Sequence, residues 1–110
     1  MKDYLLYNLS SPTIRSTIKI IDTGEKIKID GYDRGIMLKG IFSGTGYEYS
    51  MTVSKKEIAS KLRINYIDFD DLMNQVFSSF QNDPKCFSNI KTFFEGRNIS
   101  FDYFSWRYSS

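Results

Sequence analysis

Read for polarity alone, the chain changes its period twice. Up to residue 53 apolar and polar positions alternate, from residue 54 to about 96 they recur every three to four, and the last stretch alternates again. Alternation marks a strand with one buried face, and the longer spacing marks a helix with one apolar stripe. YLLY, residues 4–7, predicts a short first strand. TIRSTIKIIDTGEKIKID predicts two more, with Ile18 and Ile20 answered by Ile27 and Ile29 around a tight turn at Thr23-Gly24. GIMLKGIF and YEYSMTV follow as a second pair separated by SGTG. In the latter, Tyr47, Tyr49, Met51 and Val53 share one face, and Glu48, Ser50 and Thr52 the other.

The helical part opens on a capping box, Ser54-x-x-Glu57. The serine hydroxyl is expected to accept from the Glu57 amide, and the glutamate to reach back to the Ser54 amide. Val53 and Ile58 stand where a hydrophobic staple puts its two members, and Ile58, Ala59 and Leu62 face inward up to Leu62 or Arg63. A second helix is predicted from Asp68 to Phe80, with Phe69, Leu72, Met73, Val76, Phe77 and Phe80 as its stripe and Asp68 as N-cap. A third is predicted from Asp83 as cap and Pro84 as first residue to a stop at Gly96, with Phe87, Ile90 and Phe94 inward. NISFDYFSWRY closes the chain as a strand. The pattern specifies an α+β fold over a single domain, residues 1–110. It is an antiparallel meander of four to five strands with three helices packed on one face and the C-terminal strand returning to the sheet.

Composition narrows the function mainly by exclusion. The chain has 110 residues, no histidine, one cysteine and a net charge of +2. Without histidine and with only Cys86, the usual zinc and transition-metal ligand sets are missing, no internal disulfide is possible, and the commonest general base is absent. The reading is of no catalytic residue, no metal and no cofactor. SGTG lacks the lysine and hydroxyl of a phosphate loop, and the aspartates at 68, 70 and 71 lack the glycine and terminal glutamate of a calcium loop. MKDYLLYNLSS is too brief an apolar run for a signal peptide or a membrane span, so a cytoplasmic protein with no membrane partner is expected.

Two nucleic-acid readings arise. SKKEIASKLRINYIDFDDLMNQVF, residues 54–77, resembles a helix-turn-helix, with Ala59 at its small position and Ile64 after the turn. Arg63, not glycine, then occupies the turn position and must adopt a left-handed conformation. The would-be recognition helix opens with Asp68, Asp70 and Asp71, carboxylates that phosphates repel. Lys19, Lys26, Lys28 and Lys39 fall opposite the isoleucines, where they would line the open sheet face for single-stranded RNA, but Glu25, Asp30, Asp33 and Glu48 share that region. Charge is mixed throughout: 9 Lys/Arg against 6 Asp/Glu in residues 1–56, and 6 against 7 in residues 57–110. Nucleic acid is therefore the alternative, a regulator using a degenerate helix-turn-helix.

The expectation adopted is a small non-enzymatic binding protein. It is read as an immunity-type or inhibitor protein, bacterial or phage-encoded, that neutralises a toxin or defence protein, a nuclease for example, by direct contact. Two partner-binding surfaces are expected. One is the acidic start of the second helix, Asp68, Asp70 and Asp71, suited to a basic active site. The other is the closing strand with Tyr103, Trp106, Arg107 and Tyr108, residue types that dominate binding hot spots. The chain is expected to be a monomer or weak homodimer.

Overall fold

The structure, a computed structural model, describes residues 2–12, 14–35, 44–64 and 68–109; the side chains of residues 44, 45, 108 and 109 lie outside that description. Five strands form one antiparallel sheet in the order β1-β2-β3-β4-β5. They are β1 (Asp3–Ser10), β2 (Ile14–Asp22), β3 (Lys26–Gly35), β4 (Gly44–Ser54) and β5 (Asp102–Ser109). The helices lie between β4 and β5 in sequence, and β5 returns beside β4. This is the expected α+β architecture. The strand expected over residues 35–42 lies, apart from Gly35, outside the described residues, as does Lys39.

The register explains the two faces. Ile20, Ile29, Met51 and Tyr103 form one row across β2 to β5, and Ile18, Gly31, Tyr49 and Ser105 the next. These rows face the helices, and Ile18, Ile20, Ile27, Ile29, Met51 and Val53 are buried there with Ile58, Phe77, Ile90 and Phe94. At Gly31 a Cβ would fall inside the Tyr49 ring, so the missing side chain is the space that ring occupies. The opposite face carries Lys19, Asp30, Ser50 and Phe104 in one row and Thr17, Tyr32, Glu48 and Trp106 in another. The β2–β3 turn closes one residue later than expected. Thr23 N–H donates to the Lys26 carbonyl at 3.0 Å, leaving Gly24-Glu25 as the loop with Gly24 at φ 107°.

Helix α1 (Lys55–Leu62) starts at Ser54, whose hydroxyl accepts from the Glu57 amide at 3.4 Å. The other half of the expected capping box is diverted: Glu57 Oε2 accepts the Ser100 N–H at 3.0 Å, tying α1 to the approach of β5. Val53 and Ile58 are both buried, as the staple requires. Arg63 ends α1 in the left-handed region (φ 56°, ψ 43°), and Ile64 N–H donates to the Ala59 carbonyl at 3.0 Å.

The second predicted helix is real but irregular. A short α2 (Phe69–Leu72) runs on as a π-helical turn (Met73–Phe77) and a 3₁₀ turn (Ser78–Phe80). Phe69, Leu72, Met73 and Phe77 of the expected stripe are still buried, while Val76 and Phe80 pack half-buried against the core. Helix α3 (Cys86–Gly96) begins two residues after Pro84. Asp83 nonetheless caps the approach, its Oδ1 accepting from Lys85 N–H at 2.8 Å and its carbonyl from Cys86 N–H at 3.0 Å. α3 ends on Gly96, as expected, but the left-handed residue is Asn98 (φ 56°), and Ile99 N–H bonds the Phe94 carbonyl at 2.9 Å.

Candidate functional site

β5 is positioned by what precedes it. Ile99 is buried, Phe101 packs on Phe94 with ring centroids 5.8 Å apart, and the Ser100 amide is held by Glu57. From Asp102 on, the strand has a neighbour on one side only. It pairs with β4 without interruption from Thr52↔Asp102 to Gly46↔Tyr108 and is the last strand of the sheet. Alternation therefore places Tyr103 on the helix side and Phe104 and Trp106 on the open face. Their exposures are 49%, 55% and 57%, large values for three aromatic side chains within four residues.

The other edge is blunted. β1 is bulged between Leu5 and Tyr7, and the Leu6 carbonyl accepts the Asn82 N–H at 2.8 Å. A bulge and a covering loop both oppose further strand pairing.

Next to β5 on the helix side lies a cleft of about 270 Å³. Tyr47, Tyr49, Phe87 and Tyr103 form its aromatic walls, and Asp33 and Lys91 its charges. Tyr49 meets Phe87 edge-on at 4.6 Å, and Lys91 Nζ stands 4.9 Å from the centre of the Tyr103 ring. The Asp33 carboxylate accepts the Ser16 hydroxyl at 2.5 Å. Burial, with Asp33 next to it, pushes the Tyr49 phenol above its ordinary range, and a hydrogen bond with Tyr47 raises that of Tyr103. Cys86 is buried behind the cleft, and burial pushes its thiol up to about 11, which keeps it protonated at neutral pH. Among the described residues no three His, Cys, Asp or Glu side chains converge as a metal cluster, and no helix is long and apolar enough to cross a membrane.

The residues expected to bind a partner do not form one surface. Asp68 is occupied as the α2 cap, accepting from Asp71 N–H at 2.9 Å, and Asp70 pairs with Lys2 at 2.7 Å. Lys2 leads into β1, so this acidic patch sits by the β1 edge, whereas Tyr103, Trp106 and Arg107 lie on β5. Four strand spacings, about 19 Å, separate the two edges. Arg107 is exposed opposite Tyr47, and Tyr108 is placed opposite Gly46 through its backbone, its side chain lying outside the described residues. Phe104 was not among the expected site residues, although it stands two positions before Trp106 on the same face. The alternation of the closing strand was the signal for it.

No protein-family model, curated protein or solved structure matches this chain.

Proposed function

We propose that this is a non-enzymatic binding protein of the immunity or inhibitor type, which occludes a partner protein by direct contact through the β5 edge. One observation carries the reading. An edge strand paired without a break from Asp102 to Tyr108 presents Tyr103, Phe104 and Trp106 to solvent, while a bulge and the Asn82–Leu6 hydrogen bond interrupt the opposite edge. Aromatic side chains supply most of the energy at protein interfaces, and an open edge adds main-chain hydrogen bonds when a partner strand docks. Lys91, whose ammonium stands over the Tyr103 ring, favours an acidic rim on the partner.

The alternative, a nucleic-acid regulator using residues 54–77, draws support from the left-handed Arg63, as that turn requires. It loses one of its cations, because the Lys55 ammonium is tied to Asp22 at 2.7 Å and largely buried.

The test is an affinity capture of tagged protein from host lysate with nuclease added, run beside Phe104→Lys/Trp106→Lys. The reading expects one stoichiometric protein that survives nuclease and is lost with the double variant. Nucleic acid in the eluate, or a partner captured equally by the variant, would refute it.

A further inference from the structure

The open edge of β5 is self-complementary. We propose that the free protein pairs β5 with β5 of a second copy, antiparallel about a two-fold axis through Ser105, joining two five-stranded sheets into one. This goes beyond the partner reading and stands without it.

Symmetry restricts the register. A two-fold axis normal to the sheet keeps both helical layers on one face, so a residue can oppose only one that points the same way. Odd registers are thereby excluded. Centred on Ser105, the pairing spans Asp102–Tyr108 and sets Phe104 against Trp106 twice on the open face. On the helix side it sets Tyr103 against Arg107 twice. Aromatic cross-strand pairs and a guanidinium against a phenol ring both stabilise such ladders. Centred on Trp106, the two Arg107 side chains would become diagonal neighbours and repel. Centred on Phe104, the overlap shrinks to residues 102–106.

The area sets the strength. At their exposures, Tyr103, Phe104 and Trp106 offer roughly 300–400 Å² per copy. With backbone and neighbouring side chains the buried total comes to roughly 1,000 Å², the low end for specific interfaces and the size of a weak, reversible dimer. A partner that takes the β5 edge must displace the second copy, and its apparent affinity declines as the concentration of this chain rises.

Sedimentation equilibrium of the full chain over a concentration series tests the pairing, and Ser105→Cys tests the register. Cys86 is buried, so an intermolecular disulfide reports the new thiol alone. The expected result is a mass that rises from 12.9 kDa toward twice that value, and a cross-linked dimer of Ser105→Cys on mild oxidation. Phe104→Lys/Trp106→Lys stays at 12.9 kDa with an unchanged circular dichroism spectrum, while Leu5→Lys on β1 dimerises like the wild type. A wild type that remains at 12.9 kDa up to about 1 mM overturns the proposal. So does a dimer that survives the double lysine variant, or one that cross-links through Leu5→Cys and not Ser105→Cys. None of these measurements involves the partner, so they stand or fall apart from its capture.

Discussion

Replacing a mid-strand glycine with alanine ordinarily stabilises a sheet, because the unfolded chain loses freedom, by roughly 0.5–1 kcal/mol. Gly31→Ala should do the opposite here. Gly31 lies directly across from Tyr49 in the β3–β4 ladder, and the Tyr49 ring rests on the bare Cα. The added methyl group must push that ring away, and the ring is wedged edge-on against Phe87 at 4.6 Å. Overpacking of this kind costs roughly 1–3 kcal/mol, which for a domain of this size lowers Tm by roughly 5–15 °C. Urea titrations of four proteins decide it: wild type, Gly31→Ala, Tyr49→Val and the double variant. With the ring gone and a β-branched residue in its place, Gly31→Ala should regain its ordinary stabilising sign, giving a coupling of about 2 kcal/mol. An equal effect of Gly31→Ala in both backgrounds, or stabilisation in the wild type, would refute the role assigned to the Gly31–Tyr49 pair.

Other expectations follow from single features. Arg63 holds a left-handed backbone, so Arg63→Gly should stabilise by roughly 0.5–1 kcal/mol in chemical denaturation, and Arg63→Val should destabilise. Phe77 is fully buried against Phe94, and Phe77→Ala should cost roughly 3–5 kcal/mol, read as a large fall in the urea midpoint. Asp30 Oδ1 is buried without a hydrogen-bond partner, and burial raises its carboxyl above the usual range although Lys28 Nζ, 3.9 Å away, opposes the shift. The unfolded chain then holds the proton less tightly than the folded one, so the ionised carboxylate penalises folding at neutral pH and the penalty vanishes below the unfolded value, about pH 3.9. Asp30→Asn should therefore stabilise at neutral pH and lose that advantage in acid. Asp22 has the reverse sign: the Lys55 ammonium and the Gly24 amide lower its carboxyl, so its contribution is present at neutral pH and lost as pH falls through the lowered value, a loss Asp22→Asn should abolish in an acid titration.

What could be read from the chain before folding was its local physics. The alternation of Ile18, Ile20, Ile27 and Ile29, the Val53–Ile58 staple and the stripe from Phe69 to Phe77 all report periods of two or 3.6, which neighbours in sequence set by themselves. The left-handed Arg63 was legible only through the helix-turn-helix resemblance, which places its turn residue there. Competition from distant groups was not. Glu57 abandons its own capping box for the Ser100 amide, 43 residues away. The π-helical turn at Met73–Phe77 carries the same residues as a regular helix, and only the packed layer selects it. The Gly31–Tyr49 fit depends on the β3–β4 register, which no period within either strand sets. The candidate surface was half legible: the closing strand and Trp106 stood out by residue type, whereas that β5 ends the sheet and that Asn82 covers β1 are facts of topology.

We propose that the β5 edge, and not the acidic start of α2, meets the partner. The most direct measurement is a titration of the captured partner, at dilute protein, against Trp106→Ala and against Asp70→Lys/Asp71→Lys. Trp106→Ala is expected to weaken binding by at least about 30-fold, the equivalent of about 2 kcal/mol, and the charge-reversed variant to bind as the wild type does. Full affinity in Trp106→Ala together with loss in Asp70→Lys/Asp71→Lys would contradict it and move the interface to the opposite edge of the sheet.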